Sequence, residues 1–255
     1  MKAVISQIIK TIQGEGPTVG YPVTLIRFAG CNLACSYCDT KWALKVPNCK
    51  AFNDIENNIT PYEINYHNVY EFLKFLRDIV GSSNRILFTG GEPFLHTELM
   101  DEVTSYLKNK YFEIETNGVL LSKTKYIENL EFLDRRPGKI QLNISPKFDE
   151  YSHKYTSDFT KAINYINDVM DVKVTFKFVY RQDQEENLMG FIEKRIPKNS
   201  VIVFSPMTPP LDISNFENKF KKSCLETVDF CIRNDFRYSP REHVSLFGAD
   251  RDENL

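Results

Sequence analysis

The stretch "VTLIRFAGCNLACSYCDT" covers residues 23–40. Its first part, Val23 to Gly30, is an apolar run bounded by Pro22 and Gly30 and reads as a strand. That strand leads straight into Cys31, Cys35 and Cys38, three cysteines within eight positions. Thiolates are soft ligands suited to zinc or to iron–sulfur clusters. A closed structural zinc site takes four protein ligands, and here the nearest further candidates are Asp39 and Cys49, with His67 well beyond. Three readings follow: a [4Fe–4S] cluster with one iron left open, a zinc site completed by Cys49 or His67, or three unrelated buried thiols. The crowding of the three into one loop favours the cluster.

Outward from this stretch the pattern alternates. Thr60-Pro61 predicts a helix start, with Thr as cap and Pro in the first turn. Its apolar face would be Val69, Phe72, Leu73, Leu76 and Ile79/Val80, and Gly81 would end it. Strands are predicted over 85–91, 111–118, 140–147, 173–180 and 200–207. Helices are predicted over 96–109, 157–170, 185–195 and 218–235, and "RYSPREHVSLFG" (237–248) closes as a short extended piece. Strand–helix alternation implies parallel strands joined by right-handed crossovers. The fold class is therefore α/β, a TIM-like (β/α) barrel or an open part of one, with chemistry on the loops after the strands. The polar and Gly/Pro-rich clusters sort accordingly. Thr89-Gly90-Gly91-Glu92-Pro93, Glu115-Thr116-Asn117-Gly118, Ser145-Pro146-Lys147 and Ser205-Pro206-Met207 each follow a predicted strand.

The chain has 255 residues, long enough for a substantial core without disulfide staples. A formal net charge of -2 gives no overall pull toward nucleic acid or an anionic membrane. No apolar run approaches the ~20 residues of a membrane span, and Lys2 and Lys10 interrupt the first residues, so no signal peptide is predicted. A cytoplasmic setting follows, in which six cysteines serve as ligands or buried thiols rather than disulfides. Cys49, Cys224 and Cys231 read as structural. No internal repeat or low-complexity tract is evident, and 1–255 reads as one domain. Within it stand an N-terminal segment (1–20), an insertion after the cysteines (44–60) and a C-terminal extension (235–255).

Upstream of the cysteines, Gln13-Gly14-Glu15-Gly16 supplies an amide and a carboxylate on a segment that could fold over the barrel mouth. Such a pair suits the amide-like edge of a pterin or guanine. On the following strand, alternation gives Leu25, Arg27 and Ala29 one face. An Arg inside a barrel needs an anionic partner. A bidentate substrate carboxylate would serve, as would an internal ion pair with Glu92 or Glu115.

The spacing Cys-x3-Cys-x2-Cys after a strand, with "TGGEP" after the next, resembles the radical S-adenosylmethionine (SAM) superfamily. The resemblance implies that SAM chelates the open iron, so a fourth cysteine would block the cofactor. It implies a partial, open barrel. Taken with "QGEGPTVGYPVTLIRFAGCNL", "YCDT", "ETNG", "SPK" and "SPREHVSLFG", the chain is similar along nearly its whole length to the 7-carboxy-7-deazaguanine synthases of queuosine biosynthesis. That family contracts 6-carboxy-5,6,7,8-tetrahydropterin to 7-carboxy-7-deazaguanine. Hydrogen is taken from C6, ammonia leaves and SAM is regenerated.

The resemblance further implies roles for residues. Cys31, Cys35 and Cys38 would hold the cluster and Thr40 a Mg2+ ion. Ile12, Gln13, Gly14, Glu15, Arg27, Thr89 and His243 would bind substrate. Tyr37, Cys38, Asp39, Gly91, Glu92, Asn117, Ser145, Pro146, Lys147, Ser205, Pro206 and Met207 would bind SAM. A homodimer and a flavodoxin or ferredoxin electron donor are implied, with no nucleic acid or membrane partner. The chain departs from the family's pattern at Ser205-Pro206, where relatives carry Gln-Pro. It departs again at Phe247-Gly248, where they carry Trp-Gly, and in an acidic tail unlike their short basic one. A glycyl-radical activating enzyme is the alternative, but a protein substrate needs no carboxylate clamp such as Arg27. A zinc- or cluster-bearing binding protein would leave the three loop motifs unexplained.

Overall fold

The computed structural model describes residues 2–44, 50–51, 62–123, 130–135, 138–210 and 214–248. In chain order the first elements are β1 (Lys2–Ile12), β2 (Pro22–Phe28), β3 (Lys50–Ala51), β4 (Tyr62–Asn65), α1 (Val69–Val80) and β5 (Arg85–Gly90). Next come α2 (Thr97–Tyr106), β6 (Tyr111–Thr116), α3 (Glu131–Asp134), β7 (Ile140–Ile144), α4 (Phe148–Tyr151) and α5 (Ser157–Val169). The chain continues through β8 (Val172–Tyr180), α6 (Glu185–Arg195), β9 (Val201–Pro206), α7 (Phe216–Asn234), β10 (Arg237–Tyr238) and α8 (Glu242–Phe247).

The ten strands among the described residues form one sheet in the order β10-β9-β8-β7-β6-β5-β2-β1-β4-β3. From β2 through β10 each neighbouring pair is parallel. β1 runs antiparallel to both β2 and β4. Among the described residues the two ends of the sheet do not pair with each other, so the parallel part is an open barrel segment, as the alternation predicts. Helices cover one face. On α1, Phe72, Leu73, Leu76 and Val80 are all buried, and each such side chain contributes roughly 1.5–3 kcal/mol. Gly81 ends the helix at a positive φ of 51°, its N–H donating to the Arg77 carbonyl.

Strand parity sets what faces each way. Phe112, Ile114, Leu142, Ile144, Phe176, Phe178 and Phe204 join the main core. The alternate residues Glu113, Gln141, Asn143, Thr175 and Lys177 are buried too, yet polar. A closed barrel normally fills that interior with branched aliphatic side chains. Here, among the described residues, only Val23, Leu25 and Leu87, with Ile9 against them, form such a plug.

Three expectations change. First, residues 2–12 form the long strand β1. Ile12 pairs with Pro22 at the N-terminal end of β2, so the loop over 13–21 begins at the end opposite the cysteines. It does not fold over the mouth. It enters the polar interior, where Gln13 and Thr18 both hydrogen-bond Glu113, low on β6. Second, residues 62–65 are strand rather than first helical turn. Tyr62 and Ile64 are buried at alternate positions against β1, and α1 starts only after Asn68, whose amide bonds the Glu63 carbonyl. Thr60, Pro61, Cys49 and most of the 44–60 insertion lie outside the described residues, as does the acidic tail. Third, the closing piece is β10 followed by the helix α8.

Candidate active site

The three cysteines follow β2 and all line one cavity at the C-terminal ends of the parallel strands. The loop carrying them is held on both sides. The Leu33 N–H donates to Cys31 Sγ (3.4 Å), and Asn117 Nδ2 donates to Asn32 Oδ1 (2.8 Å) from the loop after β6. On the other side α4 docks the loop. Glu150 accepts from the Ser36 N–H (3.1 Å), Tyr151 from the Ala34 N–H (3.2 Å), and Tyr37 donates to Asp149 (2.6 Å). Burial pushes the Cys31 thiol up, and the Cys35 thiol up to about 11. A bound cation reverses that preference and holds thiolate. Among the described residues no three His, Cys, Asp or Glu groups close on a single ion, whereas an iron–sulfur cluster can take each thiolate on a different iron. His67 lies on the exposed turn before α1 and does not line the cavity.

The "TGGEP" segment closes against the cysteine strand. Gly91 N–H donates to the Phe28 carbonyl (3.0 Å) and Glu92 N–H to the Gly30 carbonyl (2.8 Å). A Cβ on Gly91 would stand 1.9 Å from the Gly30 oxygen, so only glycine lets the two strand ends approach this closely. Thr89, Gly91, Asn117, Ser145, Lys147 and Met207 line the cavity with Tyr37, Asp39 and Thr40. Lys147 Nζ donates to Ser145 Oγ (3.1 Å) and stands 6.0 Å from the Tyr37 ring centre. Thr40 Oγ1 lies 3.7 Å from Cys38 Sγ.

Four expected cofactor contacts are not on the wall. Glu92 is fully buried, and its carboxylate accepts from Phe94 N–H, Thr116 Oγ1 and Asn117 N–H. It is a strut between the loops after β5 and β6, and burial raises its pKa. Pro146 lines a small crevice behind Tyr37 instead. Ser205 and Pro206 are buried as the last residues of β9, and only Met207 after them reaches the cavity.

The same cavity is lined by Ile12, Gln13, Gly14, Glu15, Arg27 and His243, which with Thr89 are the residues the sequence selects for substrate. Gln13 Nε2 donates to Glu113 (3.0 Å) and Glu115 (3.3 Å), which fixes its amide with the oxygen toward the Glu15 N–H. Arg27 donates through Nε to Gln7 (3.0 Å) and lies 5.3 Å from the Trp42 ring centre. Arg27 also lines the cavity, and a planar guanidinium stacked in this way suits recognition of a carboxylate.

Glu15 is the centre of a buried charge network the sequence did not disclose. Lys177 Nζ lies 2.9 Å from Glu15 and 2.7 Å from Glu115. Arg241 Nη2 lies 2.9 Å from Glu15 and 2.5 Å from Asp39, and Nη1 also bonds Thr208. His243 Nε2 is 3.6 Å from Glu15. Burial alone would raise the Glu15 pKa, but Arg241 and Lys177 hold it well below the ordinary carboxylate range. Asp39 is buried too, yet Arg241 brings it down to about 2. In Glu115 burial wins over Lys177 and the pKa rises. Burial and the Arg241 cation lower His243 to about 4, so its imidazole is neutral.

Sequence reasoning missed Lys177, Arg241, Glu113, Trp42 and Thr208. A signal existed for Lys177. It alternates with Phe176 and Phe178 and so had to face the barrel interior, as Arg27 does. Arg241 carried none, since its partners Glu15 and Asp39 lie 226 and 202 positions away.

Comparison with known proteins agrees with this geometry. A family model described as the radical SAM superfamily matches residues 25–194. Curated relatives named 7-carboxy-7-deazaguanine synthase include the Aquifex aeolicus protein, 31% identical over 151 residues, covering 58% of this chain and 61% of that one. The Hyperthermus butylicus protein is 23% identical over 256 residues, covering 94% and 91%. The first matches of this kind span only about three fifths of the relatives' length. The crystal structure of QueE from Escherichia coli superposes with a TM-score of 0.63 over 95% of both chains at 18% identity, a likeness of fold. A radical SAM domain implies a [4Fe–4S] cluster and SAM, and three thiols around one cavity with polar walls fit both. The family match spans well over half of the sequence, from β2 through α6, and the chain belongs to the radical SAM superfamily.

Proposed function

We propose that the chain is a 7-carboxy-7-deazaguanine synthase. It would contract 6-carboxy-5,6,7,8-tetrahydropterin to 7-carboxy-7-deazaguanine with release of ammonia. The observation that carries this is the placement of Arg27, Glu15 and Thr89 across the same cavity as the three cysteines, in a chain whose curated relatives bear that name. The cavity holds about 250 Å3, near the lower bound of roughly 300 Å3 for small-molecule sites.

Cys31, Cys35 and Cys38 would hold the cluster, and Tyr37, Asn117, Ser145 and Lys147 would border bound SAM. When bound, the two supply a carbon radical that abstracts hydrogen. This chain's residues do the positioning. Arg27 takes the pterin carboxylate through guanidinium N–H groups. Glu15, kept ionised by two cations, accepts from ring N–H donors. Neutral His243 offers or accepts one hydrogen bond without adding charge, and the 13–21 loop closes the lower end of the interior to water. Thr40 would give one hard oxygen to Mg2+, whose other positions waters and the substrate carboxylate can fill. A flavodoxin or ferredoxin donor, a homodimer, a cytoplasmic location and action of residues 1–255 as one domain belong to the same proposal. Among the described residues no helix is long and apolar enough to cross a membrane.

The test is an anaerobic assay of reconstituted protein with SAM, dithionite, Mg2+ and the pterin. Product mass for 7-carboxy-7-deazaguanine, without stoichiometric loss of SAM, supports the proposal. Accumulation of 5′-deoxyadenosine with intact pterin overturns the substrate while leaving the superfamily chemistry.

A further inference from the structure

Arg241 sits where three separately encoded pieces of the cavity wall meet. Its guanidinium touches Glu15 from the N-terminal loop, Asp39 directly after the last clustered cysteine, and Thr208 after β9. It is 8% exposed, so its charge is committed to these partners. Two bonds from neighbouring residues run the same way. The Glu242 N–H donates to the Gly14 carbonyl (2.9 Å), and the Ser239 hydroxyl accepts from the Gly16 N–H (2.7 Å). The 239–243 stretch thus backs the 13–21 loop at Gly14, Glu15 and Gly16.

The electrostatics give the contact a direction. Glu15 and Asp39 are both carboxylates, and each raises the other's cost of ionisation. Among the described residues Arg241 alone forms ion pairs with both, whereas Lys177 pairs with Glu15 and is shared with Glu115. Without Arg241 the loop that bears Glu15 and the loop that bears the cysteines would repel. Glu15 would keep one shared cation, and the distance between the two walls would be free to grow.

We propose that Arg241 is a positioning residue that sets the spacing between the Glu15 wall and the cysteine loop, and so the placement of substrate relative to the radical source. This rests on the synthase proposal for the identity of the substrate, but not for the geometry. Arg241 needs no contact with substrate to act, and its effect travels through Glu15 and Asp39.

The test uses the reconstituted holoenzyme and the variants Arg241→Gln and Arg241→Lys. For Arg241→Gln the expected results are unchanged iron content and cluster spectrum, a raised KM for the pterin, and a kcat/KM lowered by up to about 100-fold, as for a misplacement near 1 Å. More 5′-deoxyadenosine should form per product, because a displaced substrate misses the radical. Arg241→Lys, which keeps the charge but not the fork, should recover part of the KM and the coupling. Hydrogen exchange of residues 13–21 supplies a readout independent of substrate, and it should speed up in Arg241→Gln while strands β6 to β8 stay protected. Wild-type protein that cleaves SAM but leaves the pterin intact would remove the synthase proposal, and the exchange result would then decide the spacing role alone. Unchanged exchange at 13–21, or a fully coupled Arg241→Gln enzyme with wild-type KM, overturns the inference.

Discussion

The Lys177 ammonium stands 2.9 Å from Glu15, a residue 162 positions away in the chain. With Glu115 on its other side at 2.7 Å, one buried cation serves two buried carboxylates. Burial opposes charge on all three groups, and their mutual attraction outweighs it at Lys177, whose pKa is raised.

Replacing Lys177 with Met should therefore destabilise the fold rather than merely alter the site. Removing one partner of a buried ion pair costs about 3–5 kcal/mol, because the other charge is left uncompensated. Adding Glu115→Gln to Lys177→Met should recover part of that loss. Urea unfolding of the three proteins measures it, and a Lys177→Met midpoint equal to wild type would mean the bridge contributes nothing.

Gly91→Ala places a methyl carbon against the Gly30 carbonyl oxygen. That oxygen belongs to the backbone, so the β2 and β5 ends must separate and the Glu92-to-Gly30 hydrogen bond must break. Overpacking of this kind costs about 1–3 kcal/mol. Because Cys31 directly follows Gly30, iron retention after reconstitution should fall further than stability does. Iron analysis beside thermal unfolding checks the comparison.

Alanine at Cys31, Cys35 or Cys38 should each abolish the cluster, since all three thiols border one cavity. Alanine at Cys231, buried on α7 far along the chain, should leave about four irons per chain. Iron counting with electron paramagnetic resonance of the reduced protein distinguishes them. Equal iron loss in Cys231→Ala would place the cluster elsewhere.

Acid sensitivity should follow from His243. Its pKa is about 4 in the folded protein, against about 6.5 for an ordinary histidine. The unfolded chain thus binds a proton through that window that the folded chain refuses. Stability is full above about pH 6.5 and declines as pH falls toward 4, by up to roughly 3 kcal/mol. Glu15, with its lowered pKa, adds a further loss below the ordinary carboxylate range. His243→Gln should flatten the upper part of this decline, seen as urea midpoints at pH 7.5 and 5 that move closer together than in wild type.

The sequence made β2, the cysteine loop and the strand–helix alternation legible because each is a local pattern. A buried strand shows as an apolar run, and three thiols in one loop have few other uses. β1 was not legible, since its register shifts between Ile5 and Gln7 and the apolar residues fall out of strict alternation. The strand over Tyr62–Asn65 was hidden by a Thr-Pro pair that mimics a helix start. At the site, Gln13, Glu15 and Arg27 stood out as polar residues in apolar settings, but their partners did not. Ion pairs that join positions 15, 177 and 241 leave no mark at short range, and the loop's entry through the N-terminal end of the strands depends on β1 running antiparallel.

The bond from Arg241 to Asp39 also sets a clock. Asp39 leaves the ribosome 202 residues before its partner, which at 5–20 residues per second is about 10–40 s of synthesis. During that interval the cysteine loop lacks its last support and the Glu15 wall its backing from 239–243. Nascent chains can lay down the parallel strands in order, yet the cavity reaches its working shape only once the C-terminal helix has emerged. The spacing of the Glu15 wall and the cysteine loop is then completed last, after every parallel strand that frames the cavity has been made.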